Sequence, residues 1–300
     1  MIPNGFLEVQ ADYAPEIKQG EKLYRYDKME SRYYFTFHDG NAMAYISVTS
    51  LANLLLPKGE GFMRWLINKG EDAYKDRAMK ASFGTAFHVE ALKPLIWNKG
   101  YDFNELDKNL YDIVPVDYHH TISDWIYPFK KSLASFFYFV KQRVKKVIAV
   151  EIPLASRKDR IACTIDLVAE IEWRKKTYLA IIDLKSMMFS LADTKKKTFY
   201  DTHEFQLEIN KRIWNENFGD QYPVEYVFNW APVNFKTDSN PYTLKNQTDN
   251  QFVDCIDDYI NIAKKRKLVQ PPTKIVDIVG SFDSFENFDI NNHLINYKII

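Results

Sequence analysis

Three hundred residues suffice for one large domain or two small ones, and a 46% hydrophobic content supports a sizeable core. Forty basic side chains offset forty acidic ones, so net charge announces no polyanionic partner, and any nucleic-acid surface must be a local patch. Two cysteines, Cys163 and Cys255, support neither a disulfide framework, a cysteine-based zinc site nor an iron–sulfur cluster. With no signal peptide and no run of about 18 apolar residues, the expectation is a cytoplasmic protein without a membrane partner.

In chain order, residues 1 to about 30 carry no clear pattern. Arg32 to His38 alternates as a strand, Asp39-Gly40-Asn41 is a hairpin turn signal, and Ala42 to Val48 returns as a second strand. Ser47-Val48-Thr49-Ser50 offers hydroxyl caps for a helix that Pro57 and Gly59 break in two before Leu66. Glu71 to Trp97 reads as helix, kinked or ended at Pro94. Gly84 there allows close approach of a backbone or ligand. His88 lies beside the apolar stripe of Phe87, Ala91, Leu92 and Leu95. Alone it reads as a structural residue; in company with Asp166 and Asp183 it reads as a metal ligand. A polar connection leads to a second helix, Ile122 to Lys146, whose terminal Lys145 and Lys146 are favoured by the dipole or reach phosphate.

Three strands should follow as a meander. Val147 to Leu154 comes first, with Ser156 to Asp159 as its turn. That turn sets Glu151 near Thr164, either sharing a face with Asp166 or facing solvent. The second strand, Ile161 to Ile171, is apolar except for Asp166 near its centre, and the third, within Thr177 to Met187, ends in Asp183-Leu184-Lys185. Alternate residues on a strand share a face, so the acid and the lysine emerge side by side. Burying both heads is costly unless they pair or bind something. With the turn centred between Arg174 and Lys175, Asp166 and Asp183 stand opposite one another, Cβ atoms about 5 Å apart. Two carboxylates that close repel unless a cation lies between them or one is protonated. Oxygen ligation of that kind suits Mg²⁺ or Mn²⁺.

Lys195-Lys196-Lys197 follows in a polar loop that either holds DNA backbone or is merely solvated. His203 to Phe218 is an amphipathic helix with apolar Phe205, Ile209 and Ile213, and with Gln206 and Asn210 one turn apart on an adjacent polar face. Val224 to Val233 should extend the sheet. Asp249 to Leu268 reads as a helix stopped by Pro271-Pro272, and the last 28 residues as a packed aromatic tail. The resulting fold is α/β, a central mixed β-sheet flanked by helices. Residues 1–70 form an N-terminal hairpin and helical section packed on a core of residues 71–300.

The order His88, Glu151, Asp166, Asp183-x-Lys185, Gln206 resembles the PD-(D/E)XK nuclease superfamily, most closely its RecB/RecE-like exonuclease branch. Gly84-Thr85-Ala86-Phe87-His88 matches that branch's Gly-x-x-x-His element, Asp166 its second-strand aspartate, and Asp183 with Lys185 its acid-x-Lys. Gln206 matches the start of a Gln-x-x-x-Tyr motif, whose tyrosine position holds Asn210 here. Ser47 to Leu51 is similar to an upstream Ser-x-(Ser/Thr)-x-Leu element. The resemblance covers roughly residues 80 to 232. It implies a restriction-endonuclease-like core and a Mg²⁺- or Mn²⁺-dependent deoxyribonuclease acting from DNA ends in recombination, repair or DNA processing.

In that reading His88, Asp166, Asp183 and the Leu184 carbonyl hold one or two metal ions, with Glu151 as an optional further ligand. Lys185 orients the attacking water or stabilises transition-state charge. Gln206, with Asn210 beside it, positions the DNA. A homo-oligomer and a single-strand annealing protein are partners by resemblance only. Two other readings stay open: a site- or structure-specific endonuclease of the same fold, and a non-catalytic DNA-binding module.

Overall fold

The computed structural model describes residues 6–18, 20–28, 31–38, 41–97, 100–186, 199–233 and 242–266. The lysine run at 195–197, the Pro271-Pro272 stop and the last 28 residues lie outside them. Four strands come first: β1 (Leu7–Val9), β2 (Leu23–Lys28), β3 (Ser31–His38) and β4 (Asn41–Ser47). Helices α1 (Val48–Leu55), α2 (Glu60–Lys69), α3 (Asp72–Trp97), α4 (Leu106–Ile113) and α5 (Ile122–Arg143) follow, with a 3-10 turn at Val116–Thr121 before α5. The remainder is β5 (Val144–Ser156), β6 (Ile161–Trp173), β7 (Lys176–Leu184), α6 (Asp201–Phe218), β8 (Tyr226–Pro232), β9 (Tyr242–Asn246) and α7 (Ile256–Lys265). Among the described residues, all nine strands belong to one mixed, mostly antiparallel sheet flanked by helices.

β6 is the trunk of that sheet. It pairs along its length with β5, and its opposite edge is shared. β7 takes the C-terminal half of that edge, from Trp173↔Lys176 to Leu167↔Ile182, while β4 pairs in parallel with Ile161 and Ala162. The N-terminal strands thus continue the same sheet. Between the two partners, residues 163–166 of β6 face a fork. The β6–β7 hairpin turns on Arg174 and Lys175, both at positive φ (49° and 64°), the handedness a two-residue hairpin requires. β7 then pairs in parallel with β8, a connection that needs a crossover and uses α6 for it.

Two apolar cores cover the two faces. One gathers Leu51, Ile209, Ile213 and Trp214 from α1 and α6; the other gathers Phe83, Phe87, Phe129 and Phe136 from α3 and α5. β6 feeds both: Ile161, Cys163, Ile165 and Val168 pack in the first, Leu167, Ala169 and Ile171 in the second, so its odd-numbered side chains change face across Asp166. Asp166 sits at the switch. β5 likewise feeds both around Glu151, with Ile148, Ala149, Ile152 and Leu154 in the first core and Val150 in the second. Glu151 there has φ 48°, strained backbone for a residue with a Cβ.

Two helix boundaries differ most from the sequence reading. The helix expected to reach Lys146 ends at Arg143, because Val144, Val147 and Ala149 are drawn into the β5–β6 ladder. Lys145 and Lys146 therefore lie on a strand, where they pair with Glu172 (2.8 Å) and Glu16 (2.8 Å). The last helix begins at Ile256 and not near Asp249, since Asn250 accepts from Phe252 N (2.8 Å) and donates to Gln247 O (2.7 Å), fixing a turn. Pro94 lies inside α3, which runs on to Trp97.

Candidate active site

The fork in the sheet is also the floor of a cleft of about 1320 Å³, walled by α3 on one side and by the N-terminal strands on the other. Its chemistry begins with the way β7 leaves β6. Beyond Leu167↔Ile182 the next pair in register is Asp166 with Asp183, as the turn position requires. The two carboxylates turn to different partners there. Asp166 Oδ2 accepts from Leu184 N (2.7 Å), while Asp183 takes Lys185 Nζ (2.8 Å) and Asn229 Nδ2 (2.7 Å). Each acid thereby gains a donor in place of its neighbour's repulsion.

α3 supplies the histidine. A Cβ on Gly84 would lie 3.1 Å from Ser186 Oγ, so the glycine lets the chain leaving β7 settle on the helix. His88, one turn further along the same face, is thereby brought to the strand end, and its Nε2 donates to the Leu184 carbonyl (3.0 Å). Its Nδ1 lies 3.5 Å from Glu151 Oε1 and 3.8 Å from Asp166 Oδ1.

Glu151 arrives by register. The β5–β6 turn spans Arg157 to Arg160, so Ser156 faces Ile161 and the ladder runs to Ile152↔Ile165 and Val150↔Leu167. Glu151 thus stands opposite Asp166 and not beside Thr164, two residues from the expected place. One ligand atom from each of His88, Glu151 and Asp166 lies within 4.8 Å of the other two.

No family model and no curated protein matches the chain.

The electrostatics of the cluster have one sign. Burial alone lowers the affinity of His88 for a proton, but Asp166 and Glu151 outweigh it and lift the imidazole to about 9. Burial raises Asp166, with Glu151 adding to it against His88 and Lys185. Burial likewise raises Asp183, which Lys185 opposes and Asp166 reinforces. Every shift makes the site hold positive charge more tightly, whether that charge comes as a proton or as a cation. The donors of the cluster, two carboxylates and an imidazole, form an oxygen-rich set that fits Mg²⁺ or Mn²⁺, with the Leu184 carbonyl on the other ring nitrogen of His88. Asp183 lies beside this set, held by Lys185 and Asn229.

On α6, Gln206 lines the cleft. Asn210, one turn on, does not: it is buried, so its amide cannot meet a substrate as the sequence reading had it. Ser47 caps α1, accepting from Ser50 N (3.1 Å), and Ser47, Val48 and Thr49 line the cleft wall.

Two functional features escaped the sequence. Arg25 and Arg32 line the cleft opposite α3, Arg25 in a strand the sequence pattern did not reveal and Arg32 at the start of one that it did, with no sign that either faced the site. Asn229, fully buried, orients Asp183, and its carbonyl oxygen accepts from Gln247 Nε2 (3.0 Å). The signal for Asn229 was present, since one amide within Val227-Phe228-Asn229-Trp230 demands a partner as an acid in a strand does. Among the described residues, no helix is long and apolar enough to cross a membrane.

Proposed function

We propose that this protein is a Mg²⁺- or Mn²⁺-dependent deoxyribonuclease with a restriction-endonuclease-like core, acting from DNA ends. The observation that carries the reading is the meeting of His88, Glu151 and Asp166 at the point where β7, which bears Asp183 and leads directly into Lys185, parts from β6. A divalent ion bound there would supply positive charge to a phosphate oxygen and acidify the attacking water. The residues of the chain supply the rest. Lys185, held by Asp183, keeps an ammonium at the cleft floor, where it steadies the charge that builds on a phosphodiester under attack. Asn229 and Gln247 fix Asp183 from behind, so the ammonium is aimed before substrate arrives. Gln206 offers an amide to the backbone, while Arg25, Arg32 and Lys80 give the cleft wall the local cationic lining that a neutral chain must provide.

Digestion of end-labelled linear duplex DNA with Mg²⁺, Mn²⁺ or EDTA, beside closed circular DNA, tests this. Metal-dependent loss of the linear form alone is the expected result. Cutting of the circle would replace end-dependence by endonucleolytic cleavage, and DNA binding without turnover would overturn the enzymatic reading.

A further inference from the structure

The cleft has an unusual neighbour. α2 buries none of its residues, an odd condition for a helix carrying Phe62, Met63, Trp65, Leu66 and Ile67. Ile67 is 77% exposed and Met63 47%, and on the next helix Tyr74 is 67% exposed. Between Lys58 and Lys80 the chain carries six cationic and four anionic side chains, interleaved with these rings.

The cations attend the rings. Lys58 Nζ and the Arg77 guanidinium each lie 5.9 Å from the Phe62 ring centre, and Lys80 Nζ lies 5.5 Å from that of Trp65. The other bases nearby pair with acids: Arg64 with Glu60 (3.1 Å), Lys69 with Asp76 (3.0 Å) and Lys75 with Asp72 (3.8 Å). Among the described residues, neither Lys58 nor Lys80 has an acidic partner within ion-pair distance. Lys80 also lines the cleft, four residues before Gly84 and eight before His88 on the same helix. The aromatic surface is therefore continuous with the candidate active site through one cation.

We infer that α2 and the start of α3 form a stacking platform for single-stranded nucleic acid, guiding an unpaired strand to or from the cleft. The inference rests on the nuclease reading and adds to it the state of the substrate beyond the cut. Half-buried rings with ammonium and guanidinium groups over them suit a strand whose bases are unpaired, because an incoming base takes a ring face while its phosphate keeps the flexible cation it displaces. A duplex hides those faces within its own stack, and a purely apolar partner would leave the cations unanswered.

The test is binding of a fluorescent oligo(dT) of about 20 nucleotides, a length exceeding the usual strand footprint, followed by anisotropy in EDTA so that cleavage plays no part. Phe62→Ala and Trp65→Ala should each weaken binding by roughly 5- to 150-fold, the range for loss of one stacked base. Trp65→Phe should recover most of the loss. Lys80→Ala should reduce the slope of log affinity against log salt by about 0.7, the value for one single-strand phosphate contact. Tyr111→Ala, an exposed ring on α4, is the control and should bind as the parent does.

Failure of the parent to bind oligo(dT), or parental binding by both ring variants, would overturn the platform. So would an equal loss on duplex of the same length, or a loss traced by sedimentation to broken self-association. The two readings fail separately. DNA cut normally by a protein whose α2 variants bind like the parent retains the nuclease and removes the platform. Binding of oligo(dT) that depends on Trp65, in a protein that cuts nothing, does the reverse.

Discussion

Two residues apart on α3 stand a histidine and a glutamate with opposite lives. Glu90 is fully buried, and every donor around it is aimed at its carboxylate: Lys93 Nζ, Tyr101 OH and Asn109 Nδ2 (3.1 Å). His88 is 27% exposed, at the cleft floor, and faces acids that are themselves acceptors. The Glu90 cluster is closed, since each polar atom answers another and nothing remains to offer a ligand. The His88 cluster holds two carboxylates whose remaining lone pairs converge with an imidazole on one small volume. Burial and charge are common to both; leftover bonding capacity is what distinguishes a candidate site from a structural pair.

The sharpest way to break that contrast is to mutate each cluster and ask which property falls. Lys185→Ala should reduce DNA cleavage by about 10²–10³-fold, the typical loss of one group that stabilises transition-state charge, with the urea midpoint little changed. Glu90→Leu should do the converse, lowering stability by about 3 kcal/mol in urea titration because Tyr101 OH and the Asn109 amide lose their buried acceptor, while cleavage by the folded fraction persists. A Lys185 variant that unfolds, or a Glu90 variant that is stable and inactive, would reverse the roles.

Asn229→Ala sharpens the comparison further, because Asn229 touches neither the His88 cluster nor the cleft and acts through Asp183 alone. Loss of an orienting partner of this kind should cost about 10- to 100-fold in turnover, with Asn229→Asp failing to restore it because a second carboxylate cannot donate to Asp183. Parental turnover in Asn229→Ala would show that Asp183 is held well enough by Lys185.

The smallest effect concerns pH. The folded His88 value of about 9 lies above the unfolded value of about 6.5. Its proton therefore stabilises the metal-free fold fully below about 6.5, and that contribution is lost as pH rises through about 9. Asp166 and Asp183, also raised by burial, contribute with the same sign. Unfolding in EDTA should thus show stability declining across this window, and His88→Gln should flatten the decline. Stabilisation by Mn²⁺ should grow over the same window, because binding at His88 requires the imidazole to release its proton.

Much of this arrangement was legible in the sequence where short-range rules govern it. The β6–β7 hairpin could be placed to the residue, because period-2 patterning and a two-residue turn together fix the register that faces Asp166 with Asp183. The β5–β6 turn could not, since Ser156 to Arg160 offers no single turn centre, and a shift of two residues carried Glu151 from Thr164 to Asp166. Patterning also assumes that one strand serves one core. β5 and β6 each contribute side chains to two, a feature set by helices packed on both faces. Asn210 looked presented because it shares a face with Gln206, but α6 is buried more deeply at that turn. Asn229 went unseen because its partner, Asp183, lies on a strand that only the parallel pairing brings beside it.

If His88, Glu151 and Asp166 form a divalent-cation site, calorimetric titration of the protein with Mn²⁺ will register it without recourse to any substrate. Saturable binding that Asp166→Ala abolishes and Glu90→Gln leaves intact is the predicted result. Equal Mn²⁺ binding by the parent and Asp166→Ala, or none by either, would contradict it.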